Sequence, residues 1–261
     1  MTRAPSEGVP QTPGGSRLDG VWQTAMVSVI GGRTEQQDRA GFWFSADGRA
    51  GLWLVADGLG GHAGGALATQ AVVDVAARSW PLPESGEPKR LLEELCLAAH
   101  AEIKQRGAVA GVEPRSTLVT LYLRPAAAWW LHVGDSRLYH FRGGVLQTRT
   151  RDHSMVQAMV DRGAVREEAM GRHPGQSALV SALGGRDQPR MAHGHTLLGD
   201  RDGWVLCTDG LWEGVRVEEL AAALVAQDLQ QAADNLVRQA VERNGPQGDN
   251  VTVLLLRRGE G

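Results

Sequence analysis

Cysteine is scarce: Cys96 and Cys207 are the only two in 261 residues. That excludes a disulfide framework. Both fall within apolar helix or strand patterns, so they are expected to be buried, reduced thiols. No stretch approaches the roughly 18 consecutive apolar residues of a membrane span. Nor does the N-terminus carry the apolar core of a secretory signal. Positive charge is not in excess, since 27 Lys and Arg stand against 30 Asp and Glu, a formal net charge of −3. A nucleic-acid partner is therefore not expected. Neither His-Glu-x-x-His nor Cys-x-x-Cys occurs, so zinc has no sequence support. These absences point to an intracellular chain with no membrane partner, expected to be cytoplasmic; a monomer is also expected.

What is present is a balanced globular composition, 42% hydrophobic and 22% charged, enough for one domain with a substantial core over 20–258. Residues 1–19, rich in Pro, Gly and Ser, read as a disordered tail. Short apolar or alternating pieces follow, "VWQTAMVSVI", "AGFWFSA" and "AGLWLVA", and read as strands. Helical spacing then runs from Ala66 to Trp80 and from Pro88 to Arg106. Four further strand patterns, "STLVTLYL", "AAWWLHVG", "SRLYHF" and "GVLQT", precede a polar stretch, 154–190, that reads as a flap-like insertion. The strand "GWVLCTDG", two helical segments over Val217 to Asn244 and a last strand "NVTVLLLRR" complete the chain. Runs of strands separated by runs of helices do not make a βαβ alternation. They predict an α+β fold, a four-layer αββα sandwich of two mainly antiparallel sheets flanked by helices. The eight tryptophans mostly interrupt strand patterns and are expected in the core.

Three apolar strands begin or end on an aspartate with a small or turn-forming neighbour: Asp57 in "WLVADGLG", Asp209 in "WVLCTDGLW" and Asp249 in "GPQGDNVTVLLL". A single such site is a turn or a helix cap; three suggest strand ends converging on one point. Asp38 in "GGRTEQQDRAG" and Asp135 in "LHVGDSRLYHF" make five carboxylates at strand margins. So many negative charges repel one another unless a cation is present. All-oxygen ligation selects Mg2+ or Mn2+.

"RTEQQD", "VADGLGGHAGG", "STLVTLYL", "VGDSRLYHF", "TRDHS", "LCTDGLWEGV" and "GDNVTVLLL", in this order, resemble the metal-dependent protein serine/threonine phosphatases of type 2C (the PPM family), most closely the bacterial single-domain members. The resemblance covers about Val21 to Arg257. It implies an αββα sandwich with two Mn2+ or Mg2+ ions at one end, and a weaker third. It also implies hydrolysis of phosphoserine and phosphothreonine in proteins by a metal-activated water, in opposition to a cognate Ser/Thr kinase. By motif, Asp57 bridges both ions, the Gly58 carbonyl binds the second, and Asp209 and Asp249 hold the first. Asp38 belongs to the metal site by orienting metal-bound water from just outside the direct ligands, and Asp135 with Asp209 takes the third ion. Arg33 clamps the phosphate, where a guanidinium fork suits the geometry. His62 protonates the departing oxygen. A solvated surface arginine and an exposed loop histidine remain the plain alternatives for these last two. His153 is expected to be structural.

The chain departs from the pattern in two places. Gln36 and Gln37 stand where the family usually has Asn then Glu, and Arg115 where glycine is common. Gln37 brings no charge, so the second ion is expected to be held loosely, with activity favoured by millimolar manganese. A non-catalytic regulator would require loss of Asp57, Asp209 or Asp249, and all are present.

Overall fold

The protein, seen in a computed structural model, is described over residues 22–59, 63–83 and 85–259. The tail 1–19 and His62 lie outside the described residues. Among the described residues, twelve strands and six α-helices follow in order. β1 is Trp22–Val29, β2 Arg39–Phe44, β3 Gly51–Ala56 and β4 Gly58–Leu59; α1 is Ala63–Ser79 and α2 Pro88–Ala110. β5 is Arg115–Ser116, β6 Leu118–Arg124, β7 Ala127–Val133, β8 Arg137–Arg142 and β9 Val145–Arg149. Then come α3 Met155–Asp161, β10 Ala192–Leu197, β11 Asp202–Cys207, α4 Asp209–Trp212, α5 Val217–Leu224, α6 Leu229–Asn244 and β12 Val251–Arg258.

Two five-stranded antiparallel sheets form, one ordered β1-β12-β11-β8-β9 and the other β10-β7-β6-β3-β2. Side-chain alternation sorts their apolar runs into three layers of core. In β3, Leu52, Leu54 and Ala56 face α1 and α2, whereas Trp53 and Val55 face the opposite sheet. In β12, Val251, Val253 and Leu255 face α5 and α6, and Leu254 and Leu256 face inward. Strands covered on both faces need no polar alternation, which is why "LWLVA" and "VTVLLL" read as continuous apolar runs. The four-layer αββα sandwich is thus the observed architecture.

Local chemistry sets the helix ends. Glu87 caps α2 by accepting from the backbone N–H of Lys89 and Arg90, with Pro88 in the first turn and Gly111 closing it at φ 69°. Asp228 caps α6 through the Gln231 N–H. Both cysteines are buried and free, and burial pushes each thiol up to about 12. α1 starts at Ala63 rather than Ala66, taking Gly64 and Gly65 into its first turn. β10 is an added element that the sequence barely signals: "AHGHTL" becomes a strand because it pairs with the exposed edge of β7. The 154–190 stretch holds α3, capped by Ser154, and a 3-10 turn at Glu167–Arg172. It is tied down by single bridges from Ser154 to Leu179 and from Ser116 to Leu183.

Candidate metal centre

Antiparallel pairing brings the ends of β1, β3, β7 and β11 to the same edge as the starts of β2, β6, β8 and β12. All five predicted aspartates lie at this edge. Asp57 keeps the inward parity of Val55, and Asp38 that of Ala40, so both turn into the mouth of the inter-sheet layer. Asp38, Asp57, Asp135 and Asp209 are buried, while the Asp249 side chain is about one-third exposed.

Side chains at the strand ends hold the Asp38 carboxylate and the backbones of Asp57 and Asp135. The Thr208 hydroxyl donates to Asp38 Oδ2 at 2.8 Å, and Thr252 gives Asp38 a second side-chain hydrogen bond. The Asp57 backbone N–H donates to Thr117 Oγ1 at 2.9 Å, and that hydroxyl is paired with Ser136 Oγ at 2.7 Å. The Trp212 indole N–H donates to the Asp135 carbonyl at 3.0 Å. Thr117, Ser136, Thr208, Thr252 and Trp212 were not singled out by motif. Thr208 and Thr252 were legible as hydroxyls inside otherwise apolar strands, whereas Trp212 gave no such signal.

The electrostatics are those of an unneutralised acidic cluster. Burial pushes Asp38 up to about 8, with Asp209 and Asp249 adding to it against the opposing hydrogen bonds of Thr252 and Thr208. Burial, then the charges of Asp209, Asp38, Asp135 and Asp249, raise Asp57 well above the usual carboxylate range. Asp135 is raised by burial and by Asp209. Asp209 rises to about 6 through burial and Asp249, although a hydrogen bond with the Asp57 side chain pulls the other way. Glu213, at the end of α4, is pushed up to about 8 by burial and Asp209. Asp209 Oδ1 is buried without a hydrogen-bond partner. Among the described residues no three acidic, histidine or cysteine side chains close into a finished metal cage. The donor set nevertheless suits a hard divalent cation: every group is an oxygen, one is orphaned, and positive charge would relieve the repulsion.

Gly58 follows Asp57 in tight contact with α1. A Cβ at Gly58 would lie 2.4 Å from the Gly65 carbonyl oxygen, and one at Gly65 would lie 2.8 Å from the Gly58 oxygen. The Gly58 carbonyl thus faces the first turn of α1. Arg33 reaches the centre: its Nη2 donates to Asp249 Oδ2 at 2.6 Å. His153 stacks on His132 with ring centroids 4.6 Å apart, and its Nδ1 accepts from the Gly134 N–H, a structural position.

Residues 28–244 match the family model described as Protein phosphatase 2C. The chain belongs to the protein phosphatase 2C family. This phosphatase 2C chain is 34% identical over 203 residues to the serine/threonine protein phosphatase PstP of Mycobacterium tuberculosis, covering 76% of this chain and 38% of PstP. It therefore spans well under half the length of that relative. The crystal structure of the Mycobacterium tuberculosis serine/threonine phosphatase PstP/Ppp superposes with a TM-score of 0.80 at 30% identity, over 92% of this chain and 100% of the solved one. A structure of the PstP catalytic domain in complex with two manganese ions gives a TM-score of 0.79 at 28% identity, covering 92% and 99%.

Proposed function

We propose that this phosphatase 2C chain hydrolyses phosphoserine and phosphothreonine in proteins at a centre of two Mn2+ or Mg2+ ions, opposing a Ser/Thr kinase. The observation that carries this is the convergence of five aspartates on one mouth of the sandwich, four of them buried, with Asp209 Oδ1 left unpartnered. A relative solved with two manganese ions supports the choice of metal. Asp57, Asp209 and Asp249 would hold the ions, with the Gly58 carbonyl as a further oxygen and Asp135 as the start of a weaker third site. When bound, the ions supply an acidified water and neutralise the phosphoryl oxygens.

The chain's own residues do the rest. Asp38, fixed by the Thr208 and Thr252 hydroxyls, accepts a hydrogen bond from the attacking water and sets its angle. Arg33, now paired with Asp249, exchanges that partner for phosphate oxygens, which a guanidinium fork grips in two places. His62 gives the proton to the departing Ser or Thr oxygen.

The test is hydrolysis of p-nitrophenyl phosphate and of a phosphothreonine peptide with Mn2+, Mg2+ or chelator, by the native chain and by Asp209→Ala. Turnover should require the ion and collapse in the variant. Undiminished turnover in chelator overturns the assignment.

A further inference from the structure

β1 is an edge strand of its sheet, and beside it α6 leaves an open groove of about 650 Å³. Its walls are Val27, Val29 and Ile30 from the strand side and Val237 and Val241 from α6. Ile30 is 42% exposed, so the groove keeps part of its apolar wall open to solvent. Charged side chains, Asp234, Arg238 and Glu242, belong to the helix rim.

One end of the groove adjoins the loop that carries Asp249. Gly31 lines it and also presses on the loop that carries Asp249: its φ is +61°, and a Cβ there would lie 2.1 Å from the Asp249 carbonyl oxygen. The Arg33 N–H donates to the Ile30 carbonyl at 3.3 Å, so Ile30 to Arg33 is one turn. Such a turn keeps its ends within about 7 Å, the reach of roughly two extended residues. Arg33 in turn contacts Asp249.

The edge presents backbone groups away from β12, of which the Met26 carbonyl already accepts a side-chain bond. Gln230 Nε2 makes a long bond, 3.5 Å, to the Met26 carbonyl, so that carbonyl points away from β12. By the two-residue alternation of an antiparallel strand, the backbone groups of Ser28 point the same way. A strand laid along this edge would put alternate side chains on the Val27 and Val29 side, into the groove.

We propose that the β1–α6 groove binds the phosphoprotein substrate, taking an extended segment along β1 with an aliphatic side chain, two to four positions from the phosphoresidue, buried against Ile30 and Val241. This rests on the phosphatase reading above and gives it a sequence preference. The groove's position beside the Asp249 loop favours substrate over a second copy of the chain. A groove of this volume holds only a few side chains, whereas a stable dimer buries on the order of 800 Å² on each partner.

The experiment measures kcat/KM on phosphothreonine peptides in which a single Leu is walked through an Ala background from four positions before to four after the phosphoresidue. The chain and the variants Ile30→Ser and Val241→Gln are compared, with p-nitrophenyl phosphate as the groove-independent substrate. Leu at one position should raise kcat/KM roughly ten-fold, about what burying one aliphatic side chain supplies. In both variants the gain should fall below about two-fold while p-nitrophenyl phosphate turnover stays unchanged. A flat profile, or a preference that survives both variants, overturns the proposal. So do a rise in peptide turnover in the variants, which would assign the groove to an inhibitory segment of the chain, and conversion of a dimer to monomer by either variant. Loss of p-nitrophenyl phosphate hydrolysis by the native chain with Mn2+ would instead defeat the phosphatase reading.

Discussion

Asp152→Asn keeps the shape of a buried side chain and removes the charge that balances Arg137. The Arg137 Nε and Nη2 groups donate to the two Asp152 carboxylate oxygens at 2.8 and 2.6 Å, and the side chains are 6% and 1% exposed. The guanidinium carbon also lies over Trp212, 3.5 Å from the ring centroid. Burial alone favours the neutral form of Arg137, but Tyr139 and Asp152 outweigh it and hold the guanidinium charged. Removing one partner from such a pair costs about 3–5 kcal/mol, because the remaining charge is stranded. Asn still accepts one hydrogen bond and the Trp212 stacking survives, so the lower end, about 3 kcal/mol, is expected. At roughly 2–4 °C per kcal/mol for a domain of this size, Tm should fall by about 6–12 °C. Thermal and urea unfolding measure it, with the urea slope unchanged. Because Trp212 also donates to the Asp135 carbonyl, amide exchange around residues 134–136 should quicken. Replacing both partners, Arg137→Met with Asp152→Leu, should recover most of the lost stability. An Asp152→Asn protein melting within about 2 °C of its parent refutes this reasoning.

In chelator, stability should fall from about pH 4 to about pH 8 and level off above that, because Asp38 and Glu213 rise from ordinary carboxylate values to about 8 on folding. Stability fully present below the ordinary values is lost as pH rises to and through the folded ones. Each contributes up to roughly 1.4 kcal/mol per pH unit. Urea midpoints that rise over this window would contradict the repulsion argument. Gly58→Ala forces a Cβ to within 2.4–2.7 Å of the Gly65 backbone; it should cost about 1–3 kcal/mol and most of the turnover, and a melt and activity equal to the parent would sink the close-approach reading. Gln37→Glu restores a charge beside the centre and should lower the Mn2+ concentration for half-maximal activity by roughly ten-fold. An unchanged Mn2+ dependence would show that Gln37 does not weaken the second site.

The sandwich was legible because β3, β11 and β12 carry continuous apolar runs that only a strand covered on both faces sustains. The acidic centre was legible because Asp57, Asp209 and Asp249 punctuate those runs at their ends. β10 was not, since an edge strand with half-exposed His and Gly residues carries almost no apolar alternation. The first turn of α1 was hidden by Gly64 and Gly65, residues that disfavour helix intrinsically but are needed where α1 passes Gly58. The hydrogen bonds of Thr117 and Trp212 join residues 60 and 77 positions apart in sequence, a relation that local pattern cannot express. The Arg33–Asp249 contact, 216 positions apart, is of the same kind.

The most direct measurement is calorimetric titration of chelator-stripped protein with Mn2+, for the native chain and for Asp57→Asn and Asp209→Asn. Two equivalents should bind to the native chain with a rise in Tm, and each variant should lose at least one of them. No heat of binding up to millimolar Mn2+, or two equivalents retained in both variants, would contradict the claim that these aspartates form the metal centre.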